Sequence, residues 1–278
     1  MTKACPLGRT GFTVRAELAR HTRTTQTIVV LTCAALLPVL LVIAFTVASS
    51  RAQPIFGDIE QLATASGGNF VVFVLFASCR IGMPVVVALF FGTAIASEAA
   101  WRTLGYLLAI PVPRHRLLRV KACAAWIRSA TVFVVLGLSA VLAGCVVFGT
   151  GPAVTPDGES VSFGHCLLLA AQTIGYELVH LVWVGTAALV VGVSTDRAVI
   201  AWAVPLAASN VSQILDDLPV AEPVRQFLPS HFGFAWLDLA GTDPEWTNVS
   251  SGALSALLYG TVLYQLALHR FERRDISW

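Results

Sequence analysis

Charge is what this sequence has least of. Asp, Glu, Lys and Arg make up 12% of its 278 residues, about half of the roughly 25% found in water-soluble domains. Hydrophobic residues reach 56% and the mean hydropathy is +0.75. An ordinary soluble domain is excluded, and lipid takes the place of the missing charged shell. Lysine is nearly absent, with two residues against 16 arginines, a bias that fits GC-rich bacterial coding. The net charge of +2 leaves no basic field for nucleic acid. Several motifs are missing altogether. Without a Gly-Lys pair there is no phosphate-binding loop, so the chain cannot hydrolyse ATP by that route. There is no G-x-S-x-G elbow, no H-E-x-x-H and no span of regularly spaced arginines. The six cysteines (Cys5, Cys33, Cys79, Cys123, Cys145, Cys166) form no C-x-x-C pair and read as small buried hydrophobes rather than disulfide partners or metal ligands. No polar stretch is long enough for a second core, so residues 1–278 read as one membrane domain.

What is present is a series of apolar runs, each near the 20 residues that a helix needs to cross a bilayer. They predict an all-α protein with six spans, at about 27–48, 70–96, 129–149, 166–193, 198–214 and 251–268. The first run is longer than a cleavable signal core, so it is read as a permanent span. Basic residues set the orientation. Fifteen of the 18 fall in the N-terminal segment, the loop after span two, Arg197 and the tail. The other side has only Arg51 and Arg225, and Arg80 lies within span two. Both termini are therefore expected in the cytoplasm of a bacterial cell, with the protein in its plasma membrane. The outer segment from Leu215 to Ser250 mixes aromatic and apolar residues with Pro219, Pro223 and Pro229. Its composition predicts short helices dipping into the membrane against the bundle.

Charged and polar groups inside the spans are costly and normally face the bundle interior. Arg80, Glu177, His180 and Asn210 are the candidates for a translocation path. Glu177 and His180 stand at i, i+3 on one helix face. Three readings of them stay open: a structural pair neutralised by each other or by Arg80, a lining of a substrate path, or part of a metal site. A di-iron bundle site would need a second Glu-x-x-His and further Glu residues, and no other acidic residue lies in a span. Gln172, Tyr176, Asn210 and Gln213 each also fit the role of helix-packing contacts.

Two further elements lie on the basic side. Phe12, Val14, Leu18 and Ala19 alternate with Arg15, Arg20 and Arg23, which suits either an amphipathic helix in the interface or a disordered basic arm. After span two, Trp101, Leu104, Leu107 and Leu108 repeat at helical spacing from Glu98. Pro111 and Pro113 then stop the helix. A second basic, leucine-containing segment leads into span three, so two short helices at a proline corner are expected. A carboxylate, an amphipathic helix and a rigid corner suit a docking surface for a cytoplasmic partner.

This loop resembles that of the permease subunits of type-2 ABC exporters, whose pattern runs Glu, Gly-Thr-Leu, Leu-Leu, Pro-Val-Ser-Arg, Leu-Leu, Lys. Here the matching residues are Glu98, Thr103, Leu104, Leu107, Leu108, Pro111, Val112, Arg114, Leu117, Leu118 and Lys121. Arg102 replaces the usual glycine and Pro113 the usual serine. The tail Phe271-Glu-Arg-Arg-Asp275 is similar to an F-x-R-R-D ending in the same family. The resemblance implies that the region from Glu98 to Lys121 couples to a separate ATPase, with Glu98 and Arg102, or Arg114 and Arg116, as charged contacts. It further implies two copies of a cytoplasmic ABC ATPase holding ATP and Mg. A second permease, identical or related, and export of a lipophilic or amphiphilic compound complete that picture. The chain itself would need no cofactor. An integral-membrane enzyme using Glu177 and His180, or a noncatalytic membrane sensor or assembly protein, are the alternatives.

Overall fold

A chain in lipid has to satisfy its backbone hydrogen bonds internally, and this one does so with helices. The computed structural model describes residues 13–49, 58–100, 113–154, 160–219, 222–241 and 243–273. Trp101, Arg102, Leu104, Leu107, Leu108 and Pro111 of the expected coupling loop lie outside the described residues, as do Phe12, Arg274 and Asp275. The helices are α1 (Val14–His21), α2 (Thr25–Ser49), α3 (Asp58–Thr64), α4 (Gly67–Arg80) and α5 (Gly82–Ala100). They continue with α6 (Arg114–Phe148), α7 (Phe163–His180), α8 (Val182–Ser194), α9 (Ala198–Asp217) and α10 (Thr247–Arg273). A two-stranded antiparallel hairpin pairs β1 (Ala153–Val154) with β2 (Ser160–Val161). Five segments are long and apolar enough to cross a membrane, α7 and α8 counting as one, and the bent pair α4–α5 makes a sixth if it is a single span.

Two expectations need correction. The second apolar run is not one straight helix but bends by 48° between α4 and α5. Pro84, three residues into α5, has no N–H to offer the carbonyl of Arg80 and its ring crowds that carbonyl. The ladder resumes only with the Val85 N–H on the Ile81 carbonyl at 3.0 Å. The fourth run is one span, as expected, interrupted at the single residue Leu181, whose N–H still reaches the Glu177 carbonyl at 2.9 Å. The basic segment after Pro113 is not a separate short helix. It forms the first turns of a 35-residue helix that runs unbroken through span three. Pro113 begins this helix at the N-cap position, where a missing N–H costs nothing.

Helices α7 and α8 form the centre of the bundle. Their apolar window is 67% buried, against 22% for the windows in α2, α9 and α10. Helix α8 packs against α5, α9 and α10, while α2 and α4 lie along α6. One close crossing is made by backbone on backbone. A Cβ at Gly92 of α5 would stand 2.6 Å from the Ala201 carbonyl oxygen of α9, and one at Gly192 of α8 would stand 2.8 Å from the Gly92 carbonyl oxygen. Small residues allow helices to approach this closely when lipid supplies no hydrophobic drive between them. The long segment between α9 and α10 folds back onto the bundle, with Ala235, Trp236 and Leu239 buried. Its carbonyls at Phe232 and Phe227 accept from the Tyr176 and Tyr259 hydroxyls, and Ser230 bonds Ser212 of α9 at 2.6 Å.

Gly92→Ala is therefore expected to act as an overpacking change, destabilising the fold by about 1–3 kcal/mol. Thermal unfolding of the detergent-solubilised protein would measure it, and an unchanged midpoint would contradict this account of the α5–α8–α9 crossing.

Candidate functional site

At the end of the bundle where α1 lies, charge is buried rather than displayed. Thr13 caps α1 through its hydroxyl, and the eight residues that follow place Glu17 inward. Helix α6 buries Leu117, Lys121, Ala124, Ala125 and Arg128 along one stripe, the three- and four-residue steps of a single helix face. The Lys121 Nζ is fully enclosed and donates to Glu17 Oε1 at 2.8 Å and to Glu98 Oε1 at 2.7 Å. Arg20 adds a 2.9 Å bridge to the same Glu98 oxygen. His21 lies 3.1 Å from Glu17 Oε1. One ammonium thus ties α1, the end of α5 and the start of α6 together.

Burial pushes the Glu17 carboxyl upward, but hydrogen bonds from His21 and Lys121 and the positive charge of Lys121 outweigh it and hold the pKa at about 2. Around this cluster Arg128 donates to Thr27 at 2.8 Å and lies 3.9 Å from the centre of the Phe90 ring. Gln26 reaches Thr93 at 3.1 Å.

The expected coupling residues therefore divide. Glu98 is buried and its carboxylate is held by Lys121 and Arg20. Arg114 caps the far end of α10, donating to the Phe271 and Glu272 carbonyls at 2.9 and 2.8 Å, where the helix dipole is negative. Arg114 and Phe271, each from a stretch that carries the family resemblance, meet at this contact. Arg116 is half-buried one turn into α6. Glu17 escapes composition and motif reasoning. Its readable signals are its i, i+4 spacing to His21 and the stripe of Lys121 and Arg128, seven residues apart on a helix face.

The intramembrane candidates divide too. Arg80 does not neutralise Glu177 or His180, because it forms an ion pair with Asp217 at the end of α9. Asn210 donates back to the Leu206 carbonyl of its own helix at 3.0 Å. Glu177 and His180 do share one cavity, with Cys79, Leu181, Trp183, Ser209, Gln213, Ser230, Gly233 and Phe234. They do not hydrogen-bond each other: Glu177 Oε1 and His180 Nδ1 have no protein partner among the described residues. The His180 ring stacks on Tyr176 with centroids 5.5 Å apart. No cluster of three or more His, Cys, Asp or Glu side chains with metal-binding geometry occurs among the described residues.

A bundle of long apolar helices around a small polar cavity, with a buried charge cluster at one end, suits a multi-pass membrane transport component. The family model for ABC-2 family transporter proteins matches residues 13–193, well over half of the chain, and the chain belongs to that family. It is thus the permease component of an ABC transporter. No curated protein matches it closely enough to count as a relative.

The Glu17 carboxyl is held below its unfolded value of 4.5. Its contribution to stability is therefore complete above pH 4.5 and is lost as the pH falls from there through about 2. Glu17→Gln should flatten this part of the acid limb in a pH series of thermal unfolding. Lys121→Met leaves two buried carboxylates facing each other and should cost about 3–5 kcal/mol, read as a lowered unfolding midpoint at pH 7. An acid limb that is the same in wild type and Glu17→Gln would show that the cluster contributes nothing.

Proposed function

We propose that the chain is the membrane-spanning subunit of an ATP-driven exporter of lipophilic or amphiphilic compounds. A separate cytoplasmic ABC ATPase, present in two copies and holding ATP and Mg, docks on the loop between Glu98 and Arg114. The permease works with a second permease, identical or related, in the bacterial plasma membrane. The chain crosses that membrane six times, α4 and α5 forming one bent crossing, with both termini on the cytoplasmic side.

The observation that carries this reading is the single ammonium of Lys121 held between Glu98 and Glu17. Glu98 stands where the loop begins and Lys121 two turns after it ends, so both ends of the loop are bonded into one buried cluster. A force applied to the loop then acts on α1, α5 and α6 together rather than being absorbed by loosely held side chains. Buried charge pairs suit such a task because breaking one is costly and strongly cooperative. The cluster also gives Glu98 a role as anchor of the docking loop, leaving direct contact with the ATPase to the loop residues beyond it and to Arg116.

A mild-detergent pull-down of the tagged chain, followed by partner identification and an ATPase assay, tests the reading. A stoichiometric ABC ATPase is expected, with its activity dependent on the permease. Glu98→Gln keeps the shape of the side chain and removes the charge that Lys121 and Arg20 bind. It should leave the complex assembled while transport per ATP hydrolysed falls severalfold. A chain that elutes alone and binds no added ATPase would turn the reading toward the Glu177 and His180 enzyme or the sensor.

A further inference from the structure

The cavity around Glu177 is not accounted for by packing. It measures about 20 Å³, room for a single water-sized group, and it lies where four elements meet. These are the end of α4 at Cys79, the α7–α8 break, Ser209 and Gln213 of α9, and residues 230–234 of the folded-back segment. Glu177 is 1% exposed and His180 3% exposed, yet each turns an atom without a protein partner into this space. No Lys or Arg lines it, and the nearest candidate by sequence, Arg80, is committed to Asp217. The Cys79 thiol hydrogen-bonds the Glu177 carboxyl, but Oε1 has no protein partner among the described residues and no counter-charge lines the cavity. A buried carboxylate left so is costly, and Oε1 is open to a group that supplies both a hydrogen bond and a charge.

We propose that this cavity binds a primary ammonium group. A carboxylate oxygen, an imidazole nitrogen with its proton on the other ring atom, and a serine hydroxyl or glutamine carbonyl are three acceptors. That number matches the three N–H bonds of R–NH3⁺. Trp183 and Phe234 line the same space, and the Trp183 indole N–H is also without a partner among the described residues. Tyr176 fixes the geometry from outside the cavity, stacking on His180 while its hydroxyl donates to the Phe232 carbonyl of the covering segment. The volume excludes a quaternary ammonium head, whose methyl groups also carry no N–H. The ammonium is either a free ion or the head of an exported amphiphile, and only the second assignment rests on the transporter reading above.

Calorimetric titration of the purified full chain, without any ATPase, tests the site at pH 7 and constant ionic strength. The probes are methylammonium and n-decylammonium, with sodium and tetramethylammonium as controls. Saturable binding of an alkylammonium is expected, together with at least about tenfold weaker binding in Glu177→Gln, the loss of one charge-assisted contact. Ser209→Ala is the gentler variant and should weaken binding by about threefold, the loss of a neutral hydrogen bond. Thermal unfolding confirms that each variant is folded. Saturation by methylammonium assigns a free ion as a sufficient ligand, whereas saturation by n-decylammonium alone assigns the head of an amphiphile. The proposal is overturned if neither amine saturates, if sodium or tetramethylammonium binds as well as methylammonium, or if both variants bind as tightly as wild type. Because no ATPase is present, these outcomes are separate from success or failure of the coupling reading.

Discussion

The bundle depends on where its few charges can be held. In a low-dielectric interior a lone ion is prohibitive, and a pair is tolerated only when its hydrogen bonds are also satisfied. Lys121 meets that condition by sharing its ammonium between Glu17 and Glu98. The consequence is geometric. Helix α1 can lie only where Glu17 reaches Lys121, α5 can end only where Glu98 does, and the first turns of α6 are fixed between them. Arg128 extends the same logic inward, using Thr27 as an acceptor and the face of Phe90 as a partner for its plane. Arg114 extends it sideways onto the carbonyl end of α10. Nearly every helix that reaches this end of the bundle is held by a group that cannot leave without stranding a charge or an acceptor.

That constraint explains which parts of the molecule can be read from sequence. The spans are legible because lipid imposes a length and a composition on any crossing helix. The run 27–48 became α2 from Thr25 to Ser49, and 198–214 became α9 from Ala198 to Asp217. The cluster at the end was not legible for a specific reason. Counting basic residues by loop treats Lys121 and Arg128 as topology markers, whereas both sit on the buried stripe of a helix that starts far earlier than its apolar run. Their seven-residue spacing was a local signal for this. The pairing of Lys121 with Glu17 and Glu98, 104 and 23 residues away, had none. Likewise Arg80 in an apolar run suggested a partner within the membrane, but its partner is 137 residues distant at the end of α9. Pairings of this kind belong to tertiary structure, and no periodicity encodes them.

The helix breaks follow a different rule. Pro84 forces one of them for a covalent reason that is visible in sequence. The other, at Leu181, has no proline, and it comes one residue after His180 in a stretch that is apolar on every side. Both breaks border the same cavity, Cys79 lying at the end of α4 and Leu181 in the wall itself. The coincidence has a physical reading. A continuous helix presents only side chains to its neighbours, and the 48° bend lets α4 end there while α5 sets off at a new angle, α7 and α8 running on as one span across Leu181. The space opened in this way is what residues 230–234 fold down to cover.

The two ends of the bundle thus differ in how completely their buried polar groups are paired. Toward α1, side-chain charges are paired, and below the breaks α5, α8 and α9 touch through backbone at Gly92, Gly192 and Ala201. This leaves no slack for one of the three to move without the others. Around the cavity Glu177 and His180 keep unpaired atoms, while the covering segment is held by the hydrogen bonds of Tyr176 to Phe232 and Ser212 to Ser230 and by the pairing of His231 with Asp216 at 2.7 Å. Packed interiors transmit displacement because they are nearly incompressible, and the displacement appears where packing and pairing are incomplete. In this permease the tight region runs from the charge cluster to the glycine crossing, and the first incomplete region beyond it is the cavity holding Glu177 and His180.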